Sequence, residues 1–434
     1  MRPIHNRPLS LNMSTNKKLK DFEEQIRQCV KCGVCQAHCP AYRLSRREGD
    51  VARGKVALAA SLLDGGVKLE ERLEQNIGMC LLCGSCVNKC PNKVATPEIV
   101  AAIRREITDN KGLSLIGKSV STVTGSRALM QAITKGGALF SPLVLKEVPK
   151  SSGLRLRFPM KRMEARTLPK LPLRNLFERV PEFTRGDKDK PVVGFFAGCS
   201  ITYVYPVVGV AMVKILRLLG YSVHVPRKQK CCGVPALSSG AGTAVEELAE
   251  NNIKAFGKYD ESIIITACAS CYGGIGEYYA TMEHADKTLS DKVIDFSVFL
   301  EKHGVVDMLR AMKPWPERPR VTYHDPCHLK NHGITAAPRA LLKALPNVDF
   351  VEMEGASLCC GLGGTFSVSH YDASRAIGAE KIPGLRDSGA RKIATACPGC
   401  IIQLQDSINH AGLEVEAVHI LELLEEALMA ANTE

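Results

Sequence analysis

At 434 residues, with 45% hydrophobic and 24% charged residues, the chain has the composition of a soluble globular protein with room for two or three domains. Aromatics are only 5%, so the core must rest on Leu, Val, Ile and Ala; no run of about 18 apolar residues occurs, which excludes a membrane-spanning helix, and no signal-type apolar run follows the basic N-terminus. The net charge of +12 comes without aromatic interleaving or a binding motif, which excludes nucleic acid as the expected partner.

The 18 cysteines fall into four groups with none left over. In so long a chain, C-x2-C spacing suits metal ligation better than cross-linking, and free thiols point to a reducing, cytoplasmic compartment. Residues 1–20 are polar and read as disordered. Residues 21–100 read as a compact module, with helices over Val51–Leu63 and Glu70–Ile77. Cys29, Cys32, Cys35 and Cys39 form C-x2-C-x2-C-x3-C before Pro40, and Cys80, Cys83, Cys86 and Cys90 repeat it before Pro91. This is the bacterial ferredoxin pattern, in which three close thiolates serve one cluster and the fourth cysteine serves the other. Cys29, Cys32, Cys35 and Cys90 are therefore expected at one 4Fe-4S cluster, and Cys80, Cys83, Cys86 and Cys39 at the second. Gly33, Gly84 and Ser85 let backbone amides approach the sulfurs. A pair of zinc sites is the bland alternative, but it gives no reason for the cysteine-proline ending twice. The small apolar core makes the clusters part of what holds the module together.

Residues 101–190 carry 19 Lys and Arg against 8 Asp and Glu, and no cysteine. The segment reads as amphipathic helices over Leu113–Leu145, then an irregular stretch broken by Pro159, Pro169, Pro172 and Pro181. A solvated linker is the bland reading. A docking surface for a partner protein or an anionic membrane face is the functional one, with Arg155, Arg157, Lys161 and Arg162 at its centre.

From Pro191 the chain is an internal duplication. Cys199, Cys231 and Cys232 map onto Cys327, Cys359 and Cys360 with a shift of 128, and Cys268 and Cys271 onto Cys397 and Cys400 with a shift of 129. Each copy alternates strands and helices. In 191–310 the strands are Val192–Phe196, Ser222–Val225 and Ile263–Thr266, with helices over Val207–Leu219 and Thr243–Phe256. In 319–430 the strands are Val321–His324, Val348–Val351 and Ile393–Thr395, with a helix over Ala336–Leu345. Cysteines just past the carboxyl ends of parallel strands predict two α/β lobes, each with five thiols on its ligand-binding rim. Gly233 and Gly361 relieve the backbone beside the paired cysteines. His324, His328 and His332 flank the second set. Such histidines commonly hydrogen-bond backbone or sulfur, and a metal or proton-transfer role is the alternative.

The repeated C-x31-C-C spacing with its distal C-x2-C resembles the cysteine-rich CCG domain. Two ferredoxin-type clusters, a linker and two CCG domains resemble the iron-sulfur subunits of glycolate and lactate oxidases, of anaerobic glycerol-3-phosphate dehydrogenase, and of heterodisulfide reductases. The resemblance covers 21–430. It implies an α/β multidomain protein: an N-terminal helical two-cluster ferredoxin-like module, a basic linker, and two duplicated α/β CCG domains. It also implies that Cys199, Cys231, Cys232, Cys268 and Cys271, and likewise Cys327, Cys359, Cys360, Cys397 and Cys400, hold non-cubane 4Fe-4S clusters. Two such clusters, one, another metal, or reduced thiols all stay open.

No G-x-G-x-x-G joins a strand to a helix, and Gly361-Leu362-Gly363-Gly364 lies too near Cys360 to be a phosphate loop. No flavin is expected in this chain. The resemblance implies electron transfer from an FAD-dependent oxidase or dehydrogenase subunit toward a quinone or other acceptor, without substrate oxidation by this chain. A peripheral place on the inner membrane face is the option raised by 101–190. A catalytic heterodisulfide-type reductase and a glycerol-3-phosphate dehydrogenase subunit are the alternatives.

Overall fold

The computed structural model describes residues 17–147, 153–156, 166–281 and 288–430. The ferredoxin-like module contains helices Ala52–Leu63 and Glu71–Gly78. Each four-cysteine run closes on a short helix, Val34–His38 or Ser85–Lys89. Cys39 and Cys90 then turn extended, as the residue before proline prefers. Phe22, Ile26, Val56, Ala59, Leu73 and Ile77 form the module's core. Ile99, Val100 and Ile103 complete that core. They belong to helix Thr96–Lys111, so the module runs past residue 100, where the sequence suggested its end.

Two helices follow, Leu115–Gly125 and Arg127–Val144. Each is capped by a serine: Ser114 Oγ accepts from Gly117 N at 3.1 Å, and Ser126 Oγ from Leu129 N at 3.3 Å. Strands β1 (Leu145–Glu147) and β2 (Leu154–Leu156) pair antiparallel. Of the four basic residues singled out above, Arg155 lies in β2, while Arg157, Lys161 and Arg162 lie outside the described residues, as does Pro159. Further on, Thr167 N donates to Asp406 Oδ1 at 2.6 Å, which fastens this segment to the C-terminal lobe.

The first lobe is a five-stranded sheet of β3 (Phe183–Thr184), β4 (Val192–Phe196), β5 (Ser222–His224), β6 (Ile263–Thr266) and β7 (Val293–Asp295). Its order is β3-β5-β4-β6-β7, and only β3 runs antiparallel. The second lobe has β8 (Arg320–His324), β9 (Asp349–Phe350), β10 (Lys392–Thr395) and β11 (Glu416–His419) in the order β9-β8-β10-β11, all parallel. Without β3 the two orders are the same, as duplication requires. β3 precedes residue 191, so the first lobe recruits an edge strand from the segment read as linker. Central strands such as VVGFF and IIIT are almost wholly apolar because helices cover both faces.

The lobes share one hydrophobic core from Leu176 to Leu428. Helix Pro206–Leu218 of the first packs on Ile420–Ala430 of the second, and Phe296–Lys302 on Ala336–Ala344. Their cysteine-bearing rims meet face to face: Ala269 N donates to Ala396 O at 3.1 Å, and His419 Nε2 lies 2.9 Å from Ala267 O.

Glu98 is buried in the module core, and neither carboxylate oxygen has a hydrogen-bond partner among the described residues. Burial, with a smaller contribution from Glu277, pushes its pKa up to about 8. The folded state therefore binds a proton that the unfolded state releases near its ordinary value of 4.5. Stability should fall as pH rises through the window between 4.5 and about 8. Melting curves from pH 6 to 9 should show a declining apparent Tm, and Glu98→Gln should flatten that decline. An unchanged slope in the variant would remove Glu98 as its source.

Candidate metal centres

Two cavities of about 30 Å³ lie in the ferredoxin-like module. Cys29, Cys32, Cys35, Cys86 and Cys90 line the first. Cys39, Cys80, Cys83 and Cys86 line the second. Cys32 is exposed and Val30 is 68% exposed, so the first cavity lies near the surface. The second is deeper, and burial pushes the Cys39 thiol up to about 12 and that of Cys86 well up. Close-set sulfurs in small, largely apolar cavities are a soft donor set that fits iron-sulfur clusters.

All five-cysteine positions except Cys231 line one further cavity of about 140 Å³ between the lobes, and Cys83 joins them there. The sulfurs form an unbroken series of contacts. Cys83 meets Cys327, and Cys327 meets Cys359, which meets Cys360. Cys360 Sγ lies 3.4 Å from Cys400 Sγ. Cys400 meets Cys397, which meets Cys268 across the lobe boundary. Cys268 and Cys271 then lead to Cys232 and Cys231, and Cys231 Sγ lies 3.5 Å from Cys199 Sγ. Thus the structure brings all ten together in one place, where the sequence suggested two separate rims. Polypeptide alone gives these crowded sulfurs little solvation, and a soft donor set of this kind suits metal ligation.

The strand ends and tight turns place them. Cys199, the Cys231–Cys232 pair and Cys268 follow β4, β5 and β6, adjacent in the sheet. Gly233 and Gly361 take φ of +94° and +95°, and a Cβ on Gly361 would sit 2.3 Å from Ser374 O. In the first lobe Gln229 Oε1 accepts from Ala197 N at 2.8 Å and Gly198 N at 3.2 Å, fixing the turn into Cys199. Asn252 Nδ2 donates to Cys231 O at 2.9 Å and Tyr279 Oη to Cys232 O at 3.1 Å. In the second lobe Lys381 Nζ donates to Gly355 O at 2.7 Å and Ala356 O at 3.0 Å. Burial lowers the Lys381 pKa to about 8, opposed by the nearby Cys360, Cys327, Cys359 and Cys400. These anchors carry no spacing signature; only the fold reveals them.

The three flanking histidines have different places. His324 is fully buried at the end of β8, and burial holds its imidazole below the ordinary pKa. His328 lines the shared cavity. His332 points away, to Glu277 at 2.6 Å and the edge of Tyr272.

The module is docked on both lobes. Asn331 Nδ2 donates to Cys83 O at 2.6 Å, and Asn88 Nδ2 to Asn331 Oδ1 at 2.8 Å. Arg104 donates to the carbonyls of Ile77, Gly78 and Cys80 in the module and to Ser238 O of the first lobe. Arg104→Met would leave these carbonyls short of donors at a cost of about 2–4 kcal/mol. The variant should show a lower apparent Tm and faster protease cleavage after the module, with partial recovery in Arg104→Lys. Parent-like cleavage would show that the docking does not depend on this side chain.

Residues 25–94 match the 4Fe-4S dicluster domain, and residues 193–276 and 321–405 each match the cysteine-rich domain CCG. The chain is 31% identical to the probable glycolate oxidase iron-sulfur subunit of Bacillus subtilis, over 96% of this chain and 99% of that one. It is 25% identical to the glycolate oxidase iron-sulfur subunit of Escherichia coli, over 97% and 98% of the two chains. It is 26% identical to a subunit of the dihydromethanophenazine:CoB–CoM heterodisulfide reductase of Methanosarcina barkeri, over 93% and 94%. With its dicluster module and paired cysteine-rich lobes, the chain belongs to the glycolate oxidase iron-sulfur subunit family.

Proposed function

We propose that this chain is the electron-transfer subunit of a 2-hydroxy-acid dehydrogenase complex acting on a lactate- or glycolate-like substrate. An FAD-dependent partner oxidises the substrate, and a quinone or other acceptor takes the electrons. Cys29, Cys32, Cys35 and Cys90 hold one 4Fe-4S cluster, and Cys39, Cys80, Cys83 and Cys86 the other. The two five-cysteine sets hold the further, non-cubane centres. Bound iron-sulfur clusters supply reversible one-electron transfer. The protein supplies thiolate ligands, a dry setting and fixed spacing.

The observation that carries this reading is the sharing of cysteines between cavities. Cys86 lines both cavities of the module, and Cys83 lines both the deeper one and the shared cavity of the lobes. Cavities that share cysteines therefore lead from the exposed Cys32 to the junction of the lobes. No helix among the described residues is long and apolar enough to cross a membrane. Contact with a membrane-borne acceptor is thus assigned to a surface, and the basic segment 101–190 is the one proposed.

A second reading rests on the shared cavity itself. Both cysteine sets open on it, beside Ser200, Ser270 and His328. A small sulfur compound admitted there would meet both lobes at once, and the chain would act as a reductase of a sulfur–sulfur bond.

Iron and sulfide analysis with EPR on protein purified without oxygen tests the assignment. Roughly 12–16 irons per chain and a non-cubane signal are expected, whereas roughly 8 would leave the lobes as thiol scaffolds. Cys359→Ser should lose about 4 irons, with the module's cubane signals intact and delivery to the acceptor reduced. Full iron and full turnover in this variant would count against a centre in the second lobe. Turnover with an added disulfide, without a flavoprotein partner, would favour the reductase reading.

A further inference from the structure

The duplication that relates the lobes has a chemically unequal position at the end of its central strand. A shift of 128 residues places Phe196 on His324. Both are the last residues of the central strand, β4 or β8, both are fully buried, and each stands three positions before the first cysteine of its set. Phe196 fills its place as an apolar residue, with its ring stacked on Phe256 at 6.0 Å. His324 puts two ring nitrogens in the same kind of place. Neither has a nitrogen or oxygen partner among the described residues; the ring's neighbour is the sulfur of Cys360, a weak hydrogen-bond partner.

A thiol is a poor partner for a buried imidazole, so an imidazole retained there favours an occupant that uses it. The polar groups around it offer none. Asp325 is held by a two-pronged ion pair with Arg339, at 2.7 and 2.9 Å. Lys381 is turned to the carbonyls of Gly355 and Ala356. Thr395 donates to the His324 backbone carbonyl at 3.2 Å, not to its ring. What the ring does face is sulfur: a His324 nitrogen, Cys360 Sγ and Cys400 Sγ all lie within 4.8 Å of one another. That is the reach of ligands around one metal, and imidazole nitrogen is an ordinary donor to iron.

We infer that His324 supplies an imidazole nitrogen ligand to the centre of the second lobe, a donor for which the first lobe has no equivalent. This rests on the reading that the second five-cysteine set holds an iron-sulfur centre. The two centres are then different species despite their common origin. A neutral nitrogen donor leaves an iron-sulfur centre less negative than thiolate ligands alone, and nitrogen ligation accompanies higher potentials. The second lobe, whose Cys327 touches Cys83 of the module, therefore holds the more easily reduced of the two.

The test is pulsed EPR of the lobe signals for nitrogen coupling, in the parent and in His324→Phe, with iron measured on both. Phe at this position reproduces the first lobe, so folding should survive. Strong nitrogen coupling in the parent, lost in His324→Phe while most iron remains, is the expected result, together with a lower midpoint potential. Should the variant misfold, parent protein carrying 15N-histidine supplies the same readout: the coupling must change to that of 15N. His328→Leu should keep the coupling, which separates the two histidines. An identical coupling in His324→Phe, or only the weak coupling of a hydrogen bond in the parent, overturns the ligand assignment while leaving the centre in place. About 8 irons per chain with no lobe signal in the parent overturns the underlying reading, and the ligand with it.

Discussion

Gathering many thiols out of water is the constraint on which the rest of this structure depends. Desolvated sulfur ligands and the clusters they bind carry negative charge, and low dielectric leaves it poorly screened. The protein answers with cations that have no carboxylate partner among the described residues. Lys55 is buried and donates to the backbone carbonyls of Gly49 and Asp50, and its charge acts on Cys39. Arg104 is partly buried among four carbonyls and acts on Cys80. Lys381 is buried on two carbonyls and faces four sulfurs of the second lobe. A buried cation without a counter-charge is costly. Carbonyl dipoles meet part of that cost, and the sulfur sites supply the opposite charge. This pairing ties the fold to its metal centres more directly than any single ligand does.

The same constraint explains how three units become one body. Neither lobe closes over its cysteine rim alone, because thiols at strand ends face outward by construction. Turning the rims toward each other buries both sets, with Cys268 against Cys397. The ferredoxin-like module then covers the remaining opening through Leu81, Leu82 and Cys83. Asn331 and Arg104 fix its angle. The segment 101–190 is accordingly more than a tether: its first helix belongs to the module core, and its β3 belongs to the sheet of the first lobe.

Much of this was legible in the sequence. Cysteine spacing marked the module and both lobes, and short apolar runs placed β4, β6, β8 and β10 within a residue of their ends. What was not legible depends on encounters between distant segments. A shift of 128 residues says that two lobes are alike, but it does not say that they face each other. C-x2-C-x2-C does not reveal that Cys83 will also touch Cys327. Arg104, Asn252 and Lys381 act through backbone carbonyls, and such contacts leave no periodic pattern. β3 was missed because a two-residue edge strand has too little sequence to show alternation.

Duplication makes two lobes equal only at the start. A wire needs direction, and direction needs inequality between neighbouring stations. In the first lobe, Phe196 and the neutral Asn252 network surround the cysteines. In the second, His324 and Lys381 occupy the corresponding region. A cation and a nitrogen donor favour the added electron, whereas apolar and neutral neighbours do not. The lobe whose sulfur Cys327 touches Cys83 of the module is thus also the lobe better suited to accept charge. Symmetry of backbone supplies matched spacing, and asymmetry of a few buried side chains supplies the gradient. Duplicated metal domains can therefore acquire direction without changing a single cysteine.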